Sequence, residues 1–216
     1  MLKLLAIGEV MAEIRSANDK ALDNSAVNFA VNFAGDSFNT AIYAARYLNQ
    51  DHSFGYMTRI GTEPLSDGLM ALAKSENLYL DAIARDSQKN IGIYSVTTDA
   101  HGERSFHYWR SDSAARTLFT VEETALFLPA AEIIYLSGIS LAILTPAARE
   151  RLFTALEDQR HKMAVSSPLI QITDQPFGKA KKQRKTSWGA CGRWPILRSL
   201  RLMMKWLYLV RRQKRL

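Results

Sequence analysis

Short apolar runs alternate with longer amphipathic ones over the first 166 residues of the chain. "LKLLAIG" (2–8) reads as a buried strand, "SFNTAIYAARYLN" (37–49) as a helix, "HSFGYMTRIG" (52–61) as a strand and "LSDGLMALAKSENL" (65–78) as a helix. In the first helix Phe38, Ile42, Ala45 and Leu48 recur at steps of three and four, which predicts one face packed on a sheet. Such alternation is the pattern of βαβ units around a parallel sheet. It is interrupted by "IGIYSVTTDAHGERSFHYWR" (91–110), which reads as two strands about the turn signal Asp99-Ala100-His101-Gly102. A small antiparallel layer standing off a parallel core predicts a lid. "AEIIYLSG" (131–138) then resumes the core strands, and "TPAARERLFTALEDQRH" (145–161) is a helix with Pro146 in its first turn. "KMAVS" (162–166) begins another strand, and there the regular rhythm ends.

A chain of 216 residues, 47% hydrophobic and 10% aromatic, has ample material for a core. No run approaches the roughly 18 to 20 apolar residues of a membrane span, and Met1 to Gly8 is too short and too weakly basic for a secretory signal. A soluble, cytoplasmic protein is expected. The single Cys191 allows no intrachain disulfide, and the four His show no ligand spacing, so neither zinc nor redox chemistry is expected. No Walker A, G-x-G-x-x-G, G-x-S-x-G or H-E-x-x-H sequence occurs, and no internal repeat. Pattern alone therefore gives an α/β enzyme-like domain with a lid and no reaction.

Candidate chemistry concentrates in two stretches. In "FAGDSFNTAIYAARYL" a Gly-Asp pair opens a helix whose first turn carries Asn39. Free backbone N–H groups, the positive end of the helix dipole and two short polar side chains converge there, which suits a polyhydroxy or anionic ligand. On spacing alone, Asp36 or Ser37 capping the helix and Gly35 turning the chain is the reading favoured for the same residues. In "GIYSV" and "GERSFHYWRSDSAARTL" the lid carries Tyr94, Tyr108 and Arg110. Tyr108 and Arg110 are two apart and share one face of a strand, and a guanidinium beside phenolic hydroxyls suits a carboxylate on a polar ligand. A solvated arginine at a strand end with tyrosines packing the lid is the plainer alternative.

The G-D-x-x-N-x-A pattern, with "GEVMAEI" before it and "RIGTEPLSDGLMALAKSENL" after it, resembles the N-terminal signature of the ribokinase-like (PfkB) carbohydrate kinases. The Y-W-R of the lid and the Ser-Ala-Ala segment after it resemble the branch of that family acting on 2-keto-3-deoxygluconate (KDG). The likeness runs from about Leu2 to about Val165. It implies an incomplete three-layer α/β/α parallel sheet with a small β-sheet lid, spanning residues 1–166, with lid segments at about 11–35 and 91–110. It also implies substrate contacts at Gly35, Asp36, Asn39, Tyr94, Tyr108 and Arg110, and at Glu13, where many relatives place an acid for sugar hydroxyls. Ala34 stands where a second Gly is common, and Glu63 replaces the frequent Asp of G-x-D. The implied reaction transfers phosphate from ATP to a small-molecule sugar acid with Mg²⁺, and intact relatives are implied to be homo-oligomeric through the lid.

Residues 167 to 216 break with all of this. They hold 13 Lys and Arg against Asp174 alone, leaving 15 basic and 20 acidic residues before them, so the formal charge of +7 belongs to the tail. The tail also contains Trp188, Trp194, Trp206 and Cys191. Family members carry F-D-x-N-x-R, then D-D-E, then a G-A-G-D motif whose Asp is the catalytic base, and none of these is present. Reading codons one nucleotide earlier from the Pro168/Leu169 boundary permits F-D-S-N-Y-R-P-T-L-W, and "LMMKW" permits D-D-E. With "GKAKKQ" permitting W-E-S-K-E-E-A between them, three matches in family order favour a one-nucleotide frameshift between about Lys162 and Pro168. On this reading the tail is out of frame and poorly ordered, and this chain is inactive, without its own catalytic base, metal site or ATP site. The competing readings are a basic, Trp-interleaved tail that binds nucleic acid, and a non-catalytic scaffold.

Overall fold

The computed structural model describes residues 1–16, 28–48, 53–99, 101, 103–120, 128–162 and 169–173. Two sheets organise them. The larger contains β1 (Leu2–Ile7), β4 (Phe54–Ile60), β5 (Leu78–Tyr79), β6 (Ile83–Arg85), β9 (Ala131–Ser137) and β10 (Leu169–Thr173). Its strands run parallel in the order β10-β9-β1-β4-β5, and β6 pairs with the second half of β4 where β5 stops. The smaller contains β2 (Met11–Ser16), β3 (Phe29–Ala34), β7 (Gly92–Thr98) and β8 (Arg104–Trp109), in the order β3-β2-β7-β8.

The large sheet is covered on both faces, as parallel sheets require. Leu4 and Ala6 of β1, with Ile133 and Tyr135 of β9, join Phe38, Ala41 and Ala45 of helix α1 (Asp36–Leu48) and Leu69 of α2 (Pro64–Ser75) in one core cluster. Leu5 and Ile7, with Ile134 and Leu136, point the other way. They meet Ala148, Leu152 and Leu156 of α4 (Pro146–Lys162) and Leu118, just after the 3₁₀ segment Ala114–Thr117 that follows the lid. The period-2 alternation along each strand divides one apolar run between two layers. Every residue of β1 is buried as a result. A short α3 (Gly138–Ala142) directly follows β9, started by Ser137, whose hydroxyl accepts from Ser140 N–H.

The α/β/α architecture stands as the sequence predicts, and β2, β3, β7 and β8 form the separate small sheet. The apolar face of α1 is wider than the period suggested, because Ala41 and Ala44 are buried together with Phe38, Ile42, Ala45 and Leu48. The turn at Asp99 is held by its carboxylate, which accepts from His101 N–H at 2.8 Å and Glu103 N–H at 2.9 Å.

One expectation is corrected. The regular pattern does not end at Ser166, because Leu169–Thr173 continues it as β10, in parallel register with Ile133 to Ser137 of β9. "LIQIT" is rich in β-branched residues and fits an added edge strand. Of the predicted strand "KMAVS", Lys162 ends α4, and residues 163–166 lie outside the described residues. The rest of the basic tail, 174–216, lies outside them too.

Candidate functional site

The site is built where the carboxyl ends of the parallel strands meet the root of the lid, the usual crevice of an open α/β sheet. β1 ends at Ile7, and after Gly8, Glu9 and Val10 the chain passes into β2 of the lid. Chain returns from β3 to α1 through Gly35. A Cβ on Gly35 would collide with the carbonyl oxygen of Glu9, and one on Gly8 with the hydroxyls of Ser37 and Ser140. The glycines therefore let three chain segments pass at backbone distance.

At the start of α1, the Asp36 carboxylate accepts from Tyr135 O–H at 3.2 Å, and the Ser37 hydroxyl lies 3.2 Å from that of Tyr56. Both side chains thus reach tyrosines of neighbouring core strands. Burial holds the Tyr56 phenol far above its ordinary range, so it stays protonated. Asn39 lies one turn into α1, its amide N–H bonded to Gly35 O at 2.8 Å and its side chain exposed.

Across the lid, strand register aligns a row of polar and aromatic side chains. Asn32 stands opposite Glu13, Glu13 opposite Tyr94, and Tyr94 opposite Tyr108. Tyr94 donates its hydroxyl to the Glu13 carboxylate. Burial, followed by that hydrogen bond, raises the Tyr94 phenol well above its usual value, so it acts as a donor and never as a phenolate at physiological pH. The rings of Tyr94 and Tyr108 lie 5.7 Å apart, and Phe106 stacks beside Tyr108 at 6.4 Å. Tyr108 is 45% exposed, which leaves its hydroxyl accessible.

Arg110 follows β8, and its guanidinium carbon lies 5.9 Å from the centre of the Tyr108 ring, on the face the sequence assigned to both. It pairs with Glu9, which also accepts from the Ser113 hydroxyl. Glu9 is 6% exposed. Burial raises its carboxyl above the ordinary range, against the pull of Arg110, Ser113 and the more distant Arg116.

By register Glu13, Tyr94 and Tyr108 share one face of the lid, and Arg110 lies against the Tyr108 ring. Gly35 and Asp36 stand where the chain enters α1, with Asn39 exposed in its first turn. Glu9 was passed over, although it lies inside the quoted "GEVMAEI"; a single acid between apolar residues gives no periodic signal. Of the two departures, Glu63 is absorbed structurally: its carboxylate accepts from Ile91 N–H at 3.0 Å and Ser66 O–H at 2.7 Å. Among the described residues no three His, Cys, Asp or Glu side chains converge to hold a metal ion. None of the described helices is long and apolar enough to cross a membrane.

The profile of the pfkB family carbohydrate kinases matches residues 1–188. The chain is 40% identical over 154 residues to the 2-dehydro-3-deoxygluconokinase of Dickeya dadantii, covering 69% of this chain and 47% of that protein. It is 35% identical over 162 residues to the enzyme of the same name from Escherichia coli K12, covering 73% and 50%. The chain spans about half the length of these curated relatives. In fold it resembles the 2-dehydro-3-deoxygluconokinase of Thermotoga maritima, with TM-score 0.65 and 21% identity over 80% of this chain and 51% of that one. The fructokinase of Xylella fastidiosa gives the same TM-score, 0.65, at 19% identity over 82% and 51%. A parallel sheet with a strand lid at its carboxyl edge, and a family profile matching most of the chain, lead to one conclusion: the chain belongs to the pfkB family of carbohydrate kinases.

Proposed function

We propose that these residues form the substrate-recognising part of a cytoplasmic sugar-acid kinase that phosphorylates 2-keto-3-deoxygluconate or a close relative. The observation that carries this reading is Arg110, a cation fixed at the lid root beside the Tyr108 ring and one register step from the Glu13–Tyr94 pair. One of its five N–H donors reaches Glu9, which leaves others for a ligand carboxylate. In this reading Arg110 takes the carboxylate and Tyr108 a neighbouring oxygen. Glu13, its geometry fixed by Tyr94, accepts from sugar hydroxyls, while Gly35, Asp36 and Asn39 meet the far end of the sugar at the start of α1. The names of the relatives support the sugar acid as substrate.

The whole-length enzyme would use ATP and Mg²⁺, ATP being present in one structural neighbour, a sugar kinase of Pyrococcus horikoshii. The described residues offer no cluster fit to hold Mg²⁺, so no step through that ion is assigned to them. No G-A-G-D sequence occurs in the 216 residues. By themselves they are expected to bind sugar acid without turning it over, with the segment from about Pro168 onward translated out of frame. Self-association through the lid is part of the same proposal, supported by the exposure of Phe29, Val31 and Trp109 on the lid face opposite the tyrosines.

Isothermal titration with KDG tests the recognition claim. Wild-type chain should bind, Arg110→Ala should lose roughly 30-fold or more, as expected for truncating one partner of a buried charge pair, and removing residues 174–216 should change nothing. Binding that survives Arg110→Ala and disappears with the tail would defeat the proposal. Reading the DNA across codons 160 to 216 and beyond tests the frame: a one-nucleotide change restoring F-D-S-N-Y-R is expected, and an uninterrupted frame without it refutes this part.

A further inference from the structure

The lid is joined to the core at one buried charge that no ligand contact accounts for. Glu9 lies between β1 and β2, yet it meets the other lid strands where they begin and end. Its backbone carbonyl excludes a Cβ at Gly35, which follows β3. Its carboxylate excludes one at Gly92, the first residue of β7, where an added Cβ would come within 2.8 Å of Oε1 and 3.2 Å of the Arg110 Cβ. That carboxylate then takes Arg110, just past β8, and Ser113, which opens the 3₁₀ segment. The side chain of Glu9 is 3% exposed and that of Arg110 20%. A residue wanted only for packing at this junction would be apolar, because burying an ion pair gains little over an apolar pair of the same volume. An unheld arginine at a strand end would instead sample many rotamers, and ordering them would subtract from ligand affinity.

We propose that Glu9 is a positioning residue for sugar-acid recognition. It fixes the Arg110 guanidinium at the lid root so that the remaining N–H groups are already oriented for a ligand carboxylate. In doing so it sets the preference for sugar acids over neutral sugars. The proposal rests on the sugar-acid reading above.

The test compares KDG with a neutral ketose, D-fructose, on the full chain carrying Glu9→Gln. KDG affinity should fall tenfold or more while fructose affinity stays within about twofold, so that the selectivity ratio collapses. Equal losses for both ligands would mean a structural role only, and an unchanged KDG affinity would mean no role; either overturns the proposal. If the Gln variant does not fold, Ser113→Ala removes just the hydroxyl that holds the other carboxylate oxygen. It should lower the same ratio a few-fold, and an unchanged ratio counts against the idea. If wild-type chain binds no KDG, the sugar-acid reading fails and Glu9 is judged separately by ¹⁵N-edited NMR of Arg110. Hindered guanidinium rotation that is released by Glu9→Gln supports positioning, and rotation already averaged in wild type overturns it.

Discussion

The two sheets of this molecule are made of similar strands and live in opposite surroundings. All six residues of β1 are buried, and all six of β8 are exposed. The large sheet is held by its faces, each strand divided between two apolar layers. The lid is covered less: Ala12 joins the first core cluster and Phe33 and Ile93 pack on it, while β8 stays exposed. It is held at its root, where Glu9, Gly35, Gly92 and Arg110 interlock, and at its tip, where Asp99 ties the hairpin turn. Apolar area thus holds the large sheet, while on the proposal above recognition rests on a few polar contacts at the junction.

Substitutions in the two sheets should expose this division. The largest stability loss is expected from Ile134→Ala in β9, fully buried in the second core cluster. It should cost about 2–5 kcal/mol in urea unfolding, as large-to-small core changes do. A loss near zero would mean that the large sheet is not the stabilising unit.

The next expected effect depends on pH. Glu9 has its carboxyl raised above the ordinary value of 4.5 by burial, so protonating it costs less in the folded than in the unfolded chain. Its contribution to stability is complete below about 4.5 and falls as pH rises through the folded value. The groups facing it are Arg110, Ser113 and, farther away, Arg116 and Tyr56. Glu9→Gln should therefore gain stability relative to wild type as pH increases from 4.5 towards 7.5, and the opposite trend would mean that pairing with Arg110 outweighs burial.

Smaller still, Tyr94→Phe removes the hydroxyl donated to Glu13 and should cost about 1 kcal/mol of stability. It should also weaken KDG binding by releasing Glu13. The smallest change is expected at Trp109, 62% exposed on β8. Trp109→Ala should stay within about 0.5 kcal/mol in dilute monomer, as surface substitutions do. A larger loss that grows with protein concentration would instead reveal self-association through the lid.

Much of the large sheet was legible in advance because burial on both faces writes long apolar runs into the sequence, as in "LKLLAI" and "AEIIYLS". The lid was legible through its turn chemistry and its aromatic residues. β5, β6 and α3 left too short a pattern, at two, three and five residues, to be read. β10 was missed because the compositional break drew the boundary at Ser166, although the alternation in "LIQIT" was there to be seen. In the candidate site, Tyr108 and Arg110, two apart in sequence, lie with guanidinium carbon and ring centre 5.9 Å apart. The partnership of Arg110 with Glu9 joins residues 101 apart in sequence, and only the meeting of two sheets reveals it.

The pairing of β2 with β7 has a kinetic meaning. These strands run parallel, Met11 beside Gly92, and between them the chain builds β3, α1, β4, α2, β5 and β6. The lid is therefore no independent hairpin able to zip early. Its central ladder closes a loop of about eighty residues, and the entropy of so distant a closure is recovered only after the intervening elements have docked. In refolding, the lid should be among the last parts to gain hydrogen-exchange protection, well after β1 and β4, and the capacity to capture a sugar acid should arrive with it.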